Sequence, residues 1–77
     1  MKHIQVLGPG CPKCKTFYAN TEAAIQQTGV EAKLEKVESI TEIMKSGVLL
    51  TPGLVVDGVV KSSGKVLSPD EIAVLIA

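Results

Sequence analysis

Gly8-Pro9-Gly10-Cys11-Pro12-Lys13-Cys14 is the stretch on which the fold of this chain turns. Before it, His3-Ile4-Gln5-Val6-Leu7 reads as a short strand, with Ile4 and Val6 on one face. The Gly-Pro-Gly segment breaks that strand. A helix then opens, with Cys11 at its N-cap, Pro12 at its first position and Cys14 at its third. Phe17, Thr21, Ala24, Ile25 and Thr28 continue it at helical spacing, and Gly29 supplies a C-terminal stop.

The spacing of the two cysteines carries chemistry. Residues three apart at the start of a helix lie on one face, so the two sulfurs can meet. Disulfide exchange needs a thiolate, because the thiolate is the attacking species. The free N–H groups and positive dipole end of a helix favour an anion at Cys11, and Lys13 and Lys15 add positive charge. Each unit by which a thiol pKa falls corresponds to about 1.4 kcal/mol of thiolate stabilisation. Pro12 fixes the first helical dihedral and has no N–H to lose. Position assigns the sulfurs: Cys11, at the cap, is the exposed nucleophile. Cys14, on the face of Phe17, is the more buried thiol that resolves a mixed disulfide.

Outward from the motif, Val30, Ala32 and Leu34 alternate with Glu31, Lys33 and Glu35, a half-buried strand running to Val37. Ser39-Ile40-Thr41-Glu42 is a capping box opening a short helix that ends at Gly47. Val48-Leu49-Leu50-Thr51-Pro52 is an apolar loop leading to a strand at Leu54-Val55-Val56. Asp57-Gly58 is a two-residue hairpin turn, and Val59-Val60-Lys61 returns as the fourth strand. Ser62-Ser63-Gly64 reads as a loop. Ser68-Pro69-Asp70-Glu71 is a second capping box, and Ile72, Leu75 and Ile76 form the apolar stripe of a last helix. The order is β-α-β-α-β-β-α, a single α/β domain over 1–77. Its first two strands should be parallel with a right-handed crossover, and its last two an antiparallel hairpin. A four-stranded mixed sheet flanked by helices accommodates this.

Composition narrows the function. With 77 residues the chain suits one small domain. Eight lysines balance eight acids, and no basic stripe exists of the kind that binds nucleic acid. No apolar run approaches the ~20 residues of a membrane span. The first residues read as a strand and not as a secretory signal, so the expected location is the cytoplasm. Structural disulfides rarely persist there, which directs a cysteine pair toward redox or metal chemistry.

Gly10-Cys11-Pro12-Lys13-Cys14 after a first strand, Thr51-Pro52 before an apolar strand, and Asp57-Gly58 in a hairpin together resemble the thioredoxin/glutaredoxin fold. The resemblance covers essentially the whole chain. It is nearest to the short proteins called redox-active disulfide protein 2. It implies a thioredoxin-like four-stranded mixed sheet and a dithiol–disulfide oxidoreductase with catalytic Cys11 and Cys14 and no bound cofactor. It further implies a cis Thr51-Pro52 bond beside the motif, with Pro12, Lys13, Thr51 and Pro52 in supporting roles. The implied partners are a disulfide-containing protein or small molecule and a flavin-dependent disulfide reductase as electron donor.

Departures from the family pattern are visible. Gly10 stands where thioredoxins carry a Trp, and Pro12-Lys13 replaces Gly-Pro between the cysteines. The first strand has no acid to relay a proton to the resolving thiol. Pro9 and Gly10 replace the Lys that precedes a glutaredoxin motif. Ser62-Ser63-Gly64 replaces the Gly-Gly-Asp-like loop of its glutathione site. Two other functions stay open on the residues alone. Thiolates bind metals, but structural zinc wants four ligands, so two cysteines would have to be shared across a dimer. A module that keeps the fold without turnover could use Val48-Leu49-Leu50 as a partner surface.

Overall fold

The computed structural model describes residues 2–10, 12–48 and 50–76. Its elements are β1 (Lys2–Leu7), α1 (Pro12–Thr28), β2 (Ala32–Val37), α2 (Ile40–Lys45), β3 (Gly53–Val56), β4 (Val59–Ser63) and α3 (Pro69–Ile76). The four strands form one sheet in the order β2-β1-β3-β4. β1 runs parallel to β2 and antiparallel to β3, and β3 and β4 form an antiparallel hairpin. Asp57 and Gly58 both have positive φ, 50° and 83°, the backbone a type I′ hairpin turn demands. Asp57 also ties the turn to β1: its Oδ1 accepts from the His3 N–H at 2.8 Å, and its own N–H donates to the His3 carbonyl at 2.8 Å.

Alternation along β1 divides the molecule into two cores. Ile4 and Val6 point to one face, where they pack with Phe17, Ala24, Leu54, Val56, Ile72, Ala73 and Ile76 under α1 and α3. Leu7 points to the other, where it packs with Ile43, Val48 and Val55 under α2. Thr21 is fully buried in the larger core and satisfies its hydroxyl by donating to the Phe17 carbonyl at 2.8 Å. Asn20 Nδ2 donates to the Leu67 carbonyl and Gln27 Nε2 to Asp70 Oδ1, which fixes α3 against α1.

Two expectations are corrected. The box at Ser39 does not form: Ser39 caps α2 with extended backbone, but its side chain makes no capping hydrogen bond. Ser39 is exposed, so water can serve the free N–H groups of that short helix. At Ser68 both bonds are present, Glu71 N–H to Ser68 Oγ and Ser68 N–H to Glu71 Oε1, each 3.2 Å. Second, Ser62 and Ser63 are strand and not loop, because a register shift between Leu54 and Val55 lets β4 continue to pair opposite Leu54 and Gly53. As expected, Thr28 lies in α1, at its last position, where it is exposed. Its hydroxyl donates to the Ala24 carbonyl at 3.0 Å.

Candidate functional site

The strand–loop–helix passage around Gly8 brings the site together. β1 ends at Leu7, and Gly8 still donates to the Val37 carbonyl at 2.8 Å, which holds the start of the loop against β2. Pro12 begins α1, and Cys14 lies on the inward side of its first turn, 1% exposed. Cys14 is disulfide-bonded, in a chain with two cysteines. Cys11, expected at the helix cap, lies outside the described residues. Lys13 and Lys15 are both exposed on the first turn, where their charge is screened by solvent. Pro12 is exposed, and its carbonyl accepts from Thr16 Oγ1 at 3.2 Å.

The Thr51-Pro52 peptide bond is cis. Pro52 is buried and Thr51 half-buried, and Thr51 lies near Gly8: a Cβ built on Gly8 would stand 3.9 Å from the Cβ of Thr51. Two glycines hold this loop. A side chain on Gly53 would meet Val48 Cγ1 at 2.6 Å, and one on Gly64 would meet Leu50 Cβ at 2.9 Å. The Gly64 N–H reaches both the Leu50 carbonyl at 3.1 Å and the Pro52 carbonyl at 3.0 Å. The expected apolar loop therefore has mixed roles. Val48 is core, Leu50 packs along Gly64 while staying 65% exposed, and Leu49 lies outside the described residues. Beside it, Pro9, Ile40, Ile43, Met44, Val48 and Thr51 line an open apolar cavity of about 420 Å³.

Charged side chains lie against the loop between β1 and α1. A Cβ on Gly10 would stand 3.0 Å from Glu38 Oε2, so a carboxylate lies against the residue that precedes Cys11. Lys36 Nζ is 3.9 Å from Glu38 Oε1 and 5.9 Å from the centroid of the Tyr18 ring. Farther down the sheet, Gln5 Nε2 donates to Glu35 Oε1 at 3.1 Å, and His3 Nε2 lies 3.5 Å from Glu35 Oε2. That hydrogen bond from Gln5, with smaller help from His3 and Lys33, holds the Glu35 carboxyl below the usual carboxylate range against the opposing effect of burial. Glu35 is thus engaged across β1 and β2 while its side chain stays on the solvated face.

His3 lies near the start of β1, beyond whose far end Gly8 meets Cys14. Five residue steps along the strand direction separate His3 from Gly8, roughly 16 Å at the usual rise, so His3 and Cys14 cannot share a metal ion within one chain. Among the described residues, no group of three or more His, Cys, Asp or Glu side chains is placed to hold one. No helix, among those residues, is long and apolar enough to cross a membrane.

Four contacts escaped the sequence reading: Gly8 against Cys14, Gly10 against Glu38, Gly53 against Val48 and Gly64 against Leu50. The signal was present as glycine at loop positions, but glycine reads first as a chain breaker, and only three-dimensional neighbours distinguish a breaker from a space-maker.

A mixed four-stranded sheet with helices on both faces, a disulfide-bonded cysteine in the first turn of the first helix and an X-Pro loop beside it define a small α/β protein of thioredoxin-like fold. A family model described as "Thioredoxin domain" matches residues 2–77, and the chain belongs to that family. It is 35% identical over 77 residues to a thioredoxin of Methanothermobacter thermautotrophicus, covering the whole of both chains. It is also 39% identical over 69 residues to a thioredoxin of Methanocaldococcus jannaschii, covering 90% of this chain and 79% of that protein. Membership supports a thiol–disulfide oxidoreductase-like function in general terms.

Proposed function

We propose that this chain, as one domain over residues 1–77, is a dithiol–disulfide carrier whose redox couple is Cys11 and Cys14. The observation that carries the reading is the state and place of Cys14: its sulfur is in a disulfide and lies buried at the start of α1, beside the Thr51-Pro52 loop. In the direction of substrate reduction, the Cys11 thiolate attacks one sulfur of a substrate disulfide. A protein–substrate S–S bond forms, and the first substrate thiolate leaves and takes a proton. The Cys14 thiolate then attacks Cys11 Sγ. The Cys11–Cys14 bond forms, the second substrate thiolate leaves, and two electrons and two protons have passed to the substrate.

The supporting residues act around that step. Pro12 pre-sets the helix start, and Lys13 adds an exposed positive charge that favours the thiolate. Thr51 and Pro52 form one wall of the docking surface. Substrates are disulfide-bearing proteins or small molecules, and a disulfide reductase, flavin-dependent in this reading, returns the protein to its dithiol form. The cytoplasm, a reducing compartment, is the location that suits such a carrier.

The test is a redox titration of chelator-treated protein in thiol/disulfide buffers, with free thiols counted by alkylated mass. Reversible loss of two thiols within a monomer supports the reading. If no internal disulfide forms, or the thiols stay protected until metal is stripped, the reading fails. A second measurement assigns the sulfurs: Cys14→Ser should accumulate a stable mixed disulfide through Cys11 when incubated with a disulfide substrate, and Cys11→Ser should not.

A further inference from the structure

Gly8 is buried, and a Cβ built on it would stand 2.3 Å from Cys14 Sγ and 3.0 Å from Cys14 Cβ. No carbon approaches a sulfur at the first of those distances without displacement. The backbone does not account for the glycine: Gly8 is not among the residues with positive φ, so an L side chain could adopt its conformation. Nor does a turn require it, since its N–H continues the pairing of β1 with β2. Among the described residues, the nearest atom to the space of its absent side chain is the sulfur of Cys14, followed by the Cys14 Cβ, with Thr51 on the far side.

We infer that Gly8 is a positioning residue for the redox couple: its bare Cα is the seat of the Cys14 sulfur in the disulfide state, and it thereby sets the balance between disulfide and dithiol. This rests on the proposed dithiol–disulfide function and deepens it. The two redox states differ in how much freedom that sulfur has. A disulfide fixes Sγ, whereas a free thiol can rotate about the Cα–Cβ bond to another staggered position. A methyl at position 8 therefore penalises the disulfide more than the dithiol. In reduction by dithiothreitol, the protein S–S bond breaks to two S–H groups. The reagent gives up two electrons and two protons and closes its own disulfide. Gly8→Ala should favour that direction.

Wild-type and Gly8→Ala proteins are equilibrated in mixtures of reduced and oxidised dithiothreitol, and the disulfide fraction is read by alkylated mass. The exchange constant should move toward the dithiol by about tenfold or more, which for a two-electron couple is a potential about 30 mV less negative. An unchanged midpoint overturns the inference. Urea unfolding supplies a second arm that needs no redox turnover. Gly8→Ala should lower the folded-to-unfolded ratio of the oxidised protein by about tenfold or more. In a Cys14→Ala background, where the sulfur is gone, it should lower it by less than about threefold. If Gly8→Ala alone fails to fold while the double variant folds, the same coupling is read in stronger form. Equal losses in both backgrounds, or failure of both to fold, would mean that position 8 needs glycine for reasons other than the sulfur, and would overturn the inference. A wild-type protein that does not cycle strikes the functional reading, while the unfolding arm still decides whether Gly8 seats the sulfur.

Discussion

At the scale of single residues, the site is built as much from missing side chains as from present ones. Gly53 leaves room for Val48, and Val48 in turn packs with Leu7, Ile43 and Val55. Gly53→Ala should therefore overpack the smaller core, costing about 1–3 kcal/mol, read as a lower urea midpoint with unchanged slope. Phe17 anchors the larger core and is fully buried. Phe17→Ala should cost about 3–5 kcal/mol, a large part of the stability of so short a chain. A Phe17→Ala protein that unfolds at the wild-type midpoint would show that the larger core does not hold the fold. Glu35 carries a pH dependence. Its folded carboxyl is held below the ordinary value of 4.5, so the unfolded chain binds more protons as the solution is acidified. The stabilisation is complete above that ordinary value and is lost as pH falls through the folded one. Glu35→Gln should flatten the acid limb of a plot of urea midpoint against pH as pH falls below the ordinary value of 4.5. Retention of the full slope would assign it to other carboxylates.

Among the elements, the two Ser-x-x-Glu starts make a controlled comparison. Ser68→Ala removes a real reciprocal cap and should cost about 1 kcal/mol, whereas Ser39→Ala, at a start with no side-chain bond, should lie within about 0.5 kcal/mol of wild type. Equal costs would mean that the box at Ser39 forms in solution. The same pair explains what a sequence reveals. Periodicity marked β1, α1, β2 and α3, because burial on one face imposes a period of 2 or 3.6, whereas α2 and the β3–β4 hairpin were marked by their cap and turn residues, β3 being buried throughout and β4 largely exposed. The continuation of β4 through Ser62 and Ser63 was hidden, because small polar residues on an edge strand carry no alternation, and the register shift beside Leu54 leaves no mark in composition. At the site, Cys14 was legible as the inward thiol, since it shares a helix face with Phe17. The seat beneath it was not, because a contact between Gly8 and Cys14 depends on how the loop folds back.

Over the whole molecule, the sheet is covered unequally. On one face lie α1, 17 residues long, and α3, 8 residues long, over a continuous core that reaches from Ile4 to Ile76. On the other lies α2, 6 residues long, over the small group of Leu7, Ile43, Val48 and Val55. The region beside the Thr51-Pro52 loop belongs to that lighter side. Its hydrogen-bond clock should accordingly run faster. In deuterated buffer, the amides of residues 40–47 should exchange through local openings well before those of β1 or the middle of α1, which wait for global unfolding. Exchange at one common rate across both faces would mean that the thin layer and the thick one melt as a unit. If they separate, the face beside the Thr51-Pro52 loop can breathe while the scaffold behind Cys14 keeps its shape.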